Sequence, residues 1–311
     1  MIRYLNSNRP LFGVVLLILS AIFGAASIYI FEPIVLANPL IAAADYAQID
    51  FRLLALISMI AIFMGGQQIN KLFAKHELHN KNTVIPGLIF VMWGGALSCF
   101  YSQPHCYLAY LPLIYALSRM LEIFRQNRVL AECFESGLGL GLAIVLHPPL
   151  IVLILFAHIA IMFARTFNWR EHFNLFLGYL LPLAWLFSIY FLADIQPQFF
   201  WSNLGSGLSP GLLTALALPL SALIGLNYFT KSYGKSTNKS RNTKNTAAII
   251  SLGLMVVVVL SYFKGLFVDM SLLLFPCILF SSFAFLELKK TWFANFLLFL
   301  VLISPLFQLF L

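Results

Sequence analysis

Eleven apolar stretches of roughly membrane-spanning length follow one another along this chain, separated by charged residues, proline or glycine. A helix needs about 20 predominantly apolar residues to cross a bilayer. The predicted spans are residues 11–30, 51–66, 85–101, 106–119, 130–146, 149–165, 173–193, 208–229, 246–263, 270–287 and 291–311. With 61% apolar and 10% charged residues, the chain has no room for a large soluble catalytic domain, a nucleotide-binding fold or a nucleic-acid-binding module. We predict an all-α, polytopic transmembrane protein with about 11 spans.

The basic residues lie almost entirely on one side of this arrangement. If the N-terminus is cytoplasmic, seventeen of the 19 Lys and Arg residues face the cytoplasm, and only Arg52 and Lys264 face outward. Such an excess is the positive-inside signal that sets the orientation of a membrane protein. We therefore predict a cytoplasmic N-terminus and an outer C-terminus. The formal net charge of +8 then follows from topology and requires no nucleic-acid partner.

One stretch differs from the rest in composition. Residues 230–245 are rich in Lys, Ser, Thr and Asn and lack large apolar side chains apart from Tyr233. We predict a basic, mobile cytoplasmic linker there, which separates residues 1–229 from 246–311 within a single integral membrane domain of residues 1–311. No internal repeat is evident, which argues against an inverted-repeat transporter.

A pair of prolines divides residues 129–165, an apolar run that is too long for one span. His147 directly precedes Pro148 and Pro149. Because proline lacks a backbone donor and breaks a helix, we predict a tight hairpin here that opens to the outer face.

Motifs for tightly held metals or phosphates are missing. The sequence contains no CxxC, HExxH, GxGxxG or Walker-type loop. Gly137, Gly139 and Gly141 alternate inside an apolar run, where small residues favour close helix packing over a phosphate site. Cys99 and Cys106 flank a short predicted outer turn and could form a disulfide or remain buried thiols.

Two groups of histidines need separate interpretations. His158 falls inside a predicted span, where an ionisable side chain is a functional candidate, although a bond to a neighbouring helix is the more frequent explanation. His76, Glu77 and His79 lie in a basic connection, and we favour a topogenic loop over a metal or phosphate site there.

The predicted outer face carries the more informative acids. Glu32 directly follows the first span, and Asp45 and Asp50 lie in the same predicted outer loop, residues 31–50. A carboxylate held near the lipid headgroups can act as a general base toward a hydroxyl. A solvated acid at a helix end is the competing interpretation.

Four short motifs follow one another between residues 130 and 192. They are ESGLGLGLA at 135–143, HPP at 147–149, FNWRE at 167–171 and GYLLP at 178–182. In this order they resemble the middle of the GT-C superfamily of polyprenyl-phosphate-sugar-dependent glycosyltransferases. In those enzymes a Gly-Leu-rich helix ends at a basic residue followed by proline, and a second helix returns to a basic cytoplasmic loop. The helix after this loop re-enters the membrane and carries a glycine followed by a proline. The turn at 168–171 and the overall layout also resemble an uncharacterised family of polytopic bacterial inner-membrane proteins.

The GT-C resemblance implies transfer of a sugar from a polyprenyl-phosphate carrier to an envelope acceptor on the outer face of the inner membrane. It implies Glu32 as the catalytic base, with the two aspartates of the same loop as alternatives. It also implies His147 as a phosphate-binding residue, in a position where these enzymes usually carry lysine, and Arg52 and Lys264 could stabilise the same phosphate. We predict no firm cofactor or metal, although some such enzymes use a divalent cation, for which the aspartates would offer oxygen ligands.

Two other functional classes fit the sequence. A non-catalytic inner-membrane subunit of an envelope assembly or secretion complex needs few polar residues. A lipid flippase or transporter needs a polar route through the spans, and that route is sparse here. An enzyme should bring the outer acids together with Arg52 and His147 in one outward cavity. The expected partners are membrane lipids, a polyprenyl-phosphate-linked sugar and other inner-membrane proteins.

Overall fold

The structure is a computed structural model that describes residues 11–30, 51–79, 83–101, 104–123, 129–192, 212–234, 236–263, 270–288 and 290–310. Within these residues the chain forms eleven α-helices and no strand. The helices are α1 (Leu11–Ile30), α2 (Phe51–Lys75), α3 (Ile85–Tyr101), α4 (Pro104–Glu122), α5 (Leu130–Leu146), α6 (Leu153–Ala164), α7 (Trp169–Leu192), α8 (Leu212–Gly234), α9 (Asn238–Phe263), α10 (Leu274–Glu287) and α11 (Thr291–Phe310). Each helix overlaps one predicted span, so the all-α prediction is confirmed for the described residues.

The proline pair ends the helix as the sequence predicts, but α5 and α6 do not form the predicted tight hairpin, because α5 packs on α4 and α7 whereas α6 packs on α9. α5 ends at Leu146, and after His147 the prolines begin a short 3₁₀-helix, Pro148–Val152, that leads into α6. Proline is well tolerated in the first turn of a helix, where its missing N–H has no partner to lose. Pro112, in contrast, lies inside α4, which continues through it.

The alternating glycines of α5 bring its backbone against two neighbouring helices. A Cβ on Gly137 would lie 2.2 Å from the carbonyl oxygen of Leu175 in α7. A Cβ on Gly139 would lie 2.8 Å from the carbonyl oxygen of Pro112 in α4. Gly141 approaches α7 in the same way as Gly137. The interpretation of these glycines as helix-packing residues is therefore confirmed.

The C-terminal helices pack directly onto the N-terminal ones. α10 lies against α8 and α3, α11 against α3 and α8, and α9 against α6. The indole Nε1 of Trp93 in α3 donates a hydrogen bond to the carbonyl oxygen of Val301 in α11, at 2.9 Å. The two parts of the chain on either side of residues 230–245 therefore share one hydrophobic core.

Residues 230–245 differ from the predicted linker. α8 continues to Gly234 and α9 already begins at Asn238. Polar side chains of the two helices bond to one another here, and Lys244 is only 2% exposed. The composition of residues 230–245 is that of a solvated segment. It does not reveal that the polar groups at the end of α8, in the turn and at the beginning of α9 bond to one another.

Two described helical stretches are long and apolar enough to cross a membrane, Trp169–Leu192 and Ser240–Leu260. Several shorter apolar helices accompany them. α7 leaves large apolar side chains uncovered, with Trp185 71% and Phe191 86% exposed. Such a helix surface suits contact with lipid.

Candidate functional site

The structure describes one side chain of the predicted outer-face site. That side chain is His147. Glu32, Asp45, Asp50 and Lys264 lie outside the described residues, as do the side chains of Arg52, Cys99 and Cys106. Convergence of the six predicted site residues therefore stays a prediction.

His147 is buried at the turn between α5 and the 3₁₀-helix, with 6% of its surface exposed. Its backbone N–H donates to the carbonyl oxygen of Ala143 at 2.8 Å, and its own carbonyl accepts from the N–H of Leu150 at 3.1 Å. These two bonds join the last turn of α5 to the helix that follows. The imidazole is therefore attached to a backbone that both neighbouring helices hold in place.

Most described polar clusters lie at the other end of the helices, which we call the basic end. It comprises residues 71–79, 83–85, 115–123, 129–135, 158–172, 228–234, 236–244 and 282–288. α5 begins in this region, where Glu135 pairs with Arg119, so His147 lies beyond the remote end of α5.

An ion-pair network joins α2, α4 and α5 at the basic end. Glu122 accepts hydrogen bonds from Lys75 and from Nη1 of Arg119, the latter at 2.8 Å. Nε of Arg119 lies 2.7 Å from Oε2 of Glu135, which also accepts from the hydroxyl of Tyr115 at 2.9 Å. Burial alone would raise the pKa of Glu122, but the bonds from Lys75 and Arg119 outweigh it and lower this pKa. The network therefore holds three helix ends together as charged pairs.

The motif at 167–171 forms the cap of α7. Oδ1 of Asn168 accepts a hydrogen bond from the backbone N–H of Arg170 at 3.2 Å, the contact of an N-cap residue. Nδ2 of Asn168 donates to Glu171 at 3.4 Å, and Glu171 pairs with Arg165 at 3.8 Å. Arg165 also donates to the carbonyl oxygen of Ile123 at 3.2 Å. Part of the motif that carries the resemblance therefore has a structural explanation, helix capping.

His158 pairs with a second histidine. Its Nδ1 lies 3.0 Å from Nδ1 of His172 in the first turn of α7. One ring must donate and the other must accept, so one hydrogen bond joins the two rings. Phe167 stacks on His172, and Tyr179 meets His158 edge-on. The interpretation of His158 as a side chain bonded to a neighbouring helix is confirmed.

His76 and His79 are buried and each bonds a serine. Nε2 of His76 lies 3.2 Å from Oγ of Ser118, and Nε2 of His79 lies 2.7 Å from Oγ of Ser282. Ser282 uses its own proton to bond the carbonyl oxygen of Leu279, so Nε2 of His79 is the donor. Burial, and then the charge of Lys244, lower the pKa of His79 to about 3. His79 is therefore a neutral packing residue rather than part of an exposed topogenic loop.

The described residues give little basis for a metal or small-molecule site at the basic end. Within the ranges given above, no group of three or more His, Cys, Asp or Glu side chains is placed to hold a metal ion. One small cavity is lined by apolar residues such as Leu113, Leu140 and Ile250. Cys133 and Cys277 are buried free thiols. The ion pairs, caps and histidine contacts described here act in packing.

Comparisons with known proteins bear on the family and not on the chemistry. No curated protein matches the chain, and no solved structure does. Residues 18–311 match DUF6427, a family of unknown function. The predicted membership of an uncharacterised family is confirmed, whereas the GT-C resemblance gains no support from these comparisons. The chain belongs to the DUF6427 family of unknown function.

Proposed function

We propose that this protein is a multi-pass glycosyltransferase of the bacterial inner membrane that moves a sugar from a polyprenyl-phosphate carrier to an envelope acceptor on the outer face. The observation that supports the proposal is the proline turn at His147 and the order of the elements around it. Between residues 130 and 192 the chain runs through α5, a proline turn, α6, a capped basic turn and α7. This is the order of elements that the GT-C resemblance implies.

The orientation that this function requires agrees with the distribution of charge. Lys75, Arg119, Arg165 and Lys244 lie at the basic end, and His147 lies at the opposite end of α5. The positive-inside rule puts the basic end in the cytoplasm. His147 then faces the outer side, where a lipid-linked sugar would be used.

The proposed chemistry needs a cation and a base. The bond between the sugar and the carrier phosphate breaks, and the phosphate departs with negative charge that His147, Arg52 or Lys264 would stabilise. Glu32, or an aspartate of its loop, would take the proton of the acceptor hydroxyl as the new glycosidic bond forms. A divalent cation held by those aspartates would add to the charge stabilisation.

A non-catalytic subunit of an envelope complex is the second candidate. It is favoured by the bonding at the basic end, where Arg165, Glu122 and His79 all contact other parts of the same chain. Such contacts build a rigid scaffold without requiring a substrate. A flippase or transporter has less support, because the cavity seen among the described helices is apolar.

Complementation of a deletion strain tests the proposal. Cell-envelope glycan would be measured in strains carrying wild type, Glu32→Gln, Asp45→Asn, Asp50→Asn or His147→Ala, at matched amounts of protein in the membrane. We expect His147→Ala and at least one acidic variant to fail, and His147→Lys to restore the glycan because lysine is the usual residue of the resembling enzymes. His172→Gln, a histidine change at the basic end, is the matched control and should complement. Full complementation by every variant would exclude the proposed site.

A further inference from the structure

The hairpin between α8 and α9, residues 228–244, carries positive charge that nearby acids do not neutralise. The sequence has five Lys or Arg residues between 231 and 244, and no Asp or Glu from residue 195 to 268. Elsewhere at the basic end, Lys75, Arg119 and Arg165 all pair with carboxylates. Among the described residues, no carboxylate lies within 4.0 Å of the cationic groups of Lys231, Arg241 or Lys244. Glu287 is the acid whose charge reaches Lys244.

Lys244 places one of these charges beneath the surface. It is 2% exposed, and its Nζ donates to Oγ of Ser232 at 2.8 Å and to Oγ of Ser236 at 2.7 Å. Its ammonium also lies 5.5 Å from the centre of the Phe283 ring. Hydroxyl groups and a ring solvate an ammonium but do not cancel its charge. A buried charge without an opposite charge in contact is costly, which distinguishes Lys244 from the exposed lysines that suffice for topology.

Arg241 and Lys231 hold the more accessible charges of the hairpin. The guanidinium of Arg241 lies 5.8 Å from the centre of the Tyr233 ring, and its Nη2 donates to the carbonyl oxygen of Gly234 at 3.0 Å. Nε of Arg241 is buried and has no hydrogen-bond partner among the described residues. Lys231 is exposed and lies over the ring of Tyr228. A guanidinium whose N–H donors are not all bonded within the protein can donate hydrogen bonds to the oxygens of a phosphate group.

We propose that this hairpin binds the headgroup phosphate of an anionic phospholipid. Arg241 and Lys231 contact the phosphate, and Lys244 supplies a fixed positive charge behind them. The stretch Ser240–Leu260 is apolar and long enough to cross a membrane, so its basic beginning lies at the depth of the headgroups. Anionic lipids are the negative charges that a membrane offers to basic side chains at that depth. The proposal needs the chain to lie in a membrane and is independent of glycosyl transfer.

Counting bound lipids by native mass spectrometry tests the proposal. The full-length protein in neutral detergent would be titrated with phosphatidylglycerol and, separately, with phosphatidylcholine. We expect preferential binding of phosphatidylglycerol that weakens at high salt. Arg241→Gln and Lys231→Gln should each weaken the apparent affinity about fivefold, the effect of one lost charge near a membrane surface. Lys71→Gln, an exposed lysine of α2 at the same end, should have no effect.

A stability control and a second ligand separate lipid binding from impaired folding and from binding of free phosphate. Lys244→Gln changes a buried group and can impair folding, so the conclusion depends on the accessible Arg241 and Lys231, and the thermal midpoint of each variant is recorded. Equal binding of phosphatidylcholine, or unchanged affinity in both accessible variants, would overturn the proposal. Inorganic phosphate is the last probe. If it raises the thermal midpoint as much as phosphatidylglycerol does, the hairpin is a free-phosphate site and the lipid assignment is wrong.

Discussion

Gly137 and Gly178 face each other across the contact between α5 and α7, where a Cβ on Gly178 would lie 2.9 Å from the Cα of Gly137. The same Cβ would lie 2.3 Å from the carbonyl oxygen of Phe134. Backbone lies against backbone here, so neither helix has a flexible side chain that could move aside. This contact fixes α7 against the helix that ends at His147.

Gly178→Ala should therefore destabilise the protein. Inserting a methyl group into a filled contact costs about 1–3 kcal/mol, because the helices must separate. Gly234→Ala is the control, since a Cβ there meets no atom within 4 Å. Unfolding of the purified protein in detergent would compare the two variants. Equal stability of Gly178→Ala and Gly234→Ala would contradict the close contact.

His79 should make stability depend on pH. Burial and the nearby Lys244 lower its pKa to about 3, against 6.5 for an ordinary histidine. As pH falls below 6.5, His79 therefore binds a proton in the unfolded chain but stays neutral in the folded protein. We expect the free energy of unfolding to fall by about 1.4 kcal/mol for each pH unit below that point, down to the pKa of the folded state.

The comparison with His79→Gln isolates this effect from other titrating groups. Unfolding of both proteins would be measured between about pH 7.5 and pH 5. The wild type should lose more stability than the variant over this interval. Parallel pH profiles would show that His79 is protonated in the folded protein or is not buried.

Removing the Glu122 carboxylate should weaken the basic end. Glu122→Gln leaves Arg119 and Lys75 without the acid that both contact, and loss of a charged hydrogen bond at a mostly buried site costs about 1–3 kcal/mol. Glu77→Gln is the control, because Glu77 is an exposed acid at the same end. Thermal unfolding midpoints give the comparison. A midpoint for Glu122→Gln as high as that of the control would show that the network adds no stability.

Substitutions of Asn168 distinguish a cap from a substrate contact. Asn168→Ala should cost about 1 kcal/mol by removing the N-cap of α7, whereas Asn168→Ser should keep most of the stability, because serine caps about equally well and adds no charge beside Glu171. Both variants would be tested for unfolding and for complementation of the deletion strain. If Asn168→Ser is stable but fails to complement, the side chain has a role beyond capping.

Sequence alone predicted the helices well, because apolar length and proline position are local properties. The turn at His147 followed from two adjacent prolines, and the glycine contacts of α5 from their spacing. The burial of His79 was missed because its partner Ser282 is 203 residues away. The helices in 230–245 were missed for a similar reason, since the partners of Lys244 lie at the end of α8 and in the turn that follows it.

The histidine pair shows the same limit at shorter range. His158 stood out as an ionisable residue in an apolar run, whereas His172 lies just before the predicted span 173–193 and was not singled out. Only the turn between α6 and α7 brings the two rings together. The outer acids were predicted from topology and resemblance, and their arrangement around His147 stays a prediction.

The amount of polyprenyl-phosphate-linked sugar in a deletion strain tests the proposed glycosyl transfer most directly. Extracted lipids from the deletion strain and from strains carrying wild type or His147→Ala would be compared by mass spectrometry. The proposal predicts that a lipid-linked sugar accumulates without the protein, that wild type reverses the accumulation and that His147→Ala does not. Unchanged lipid-linked sugars in the deletion strain would contradict it.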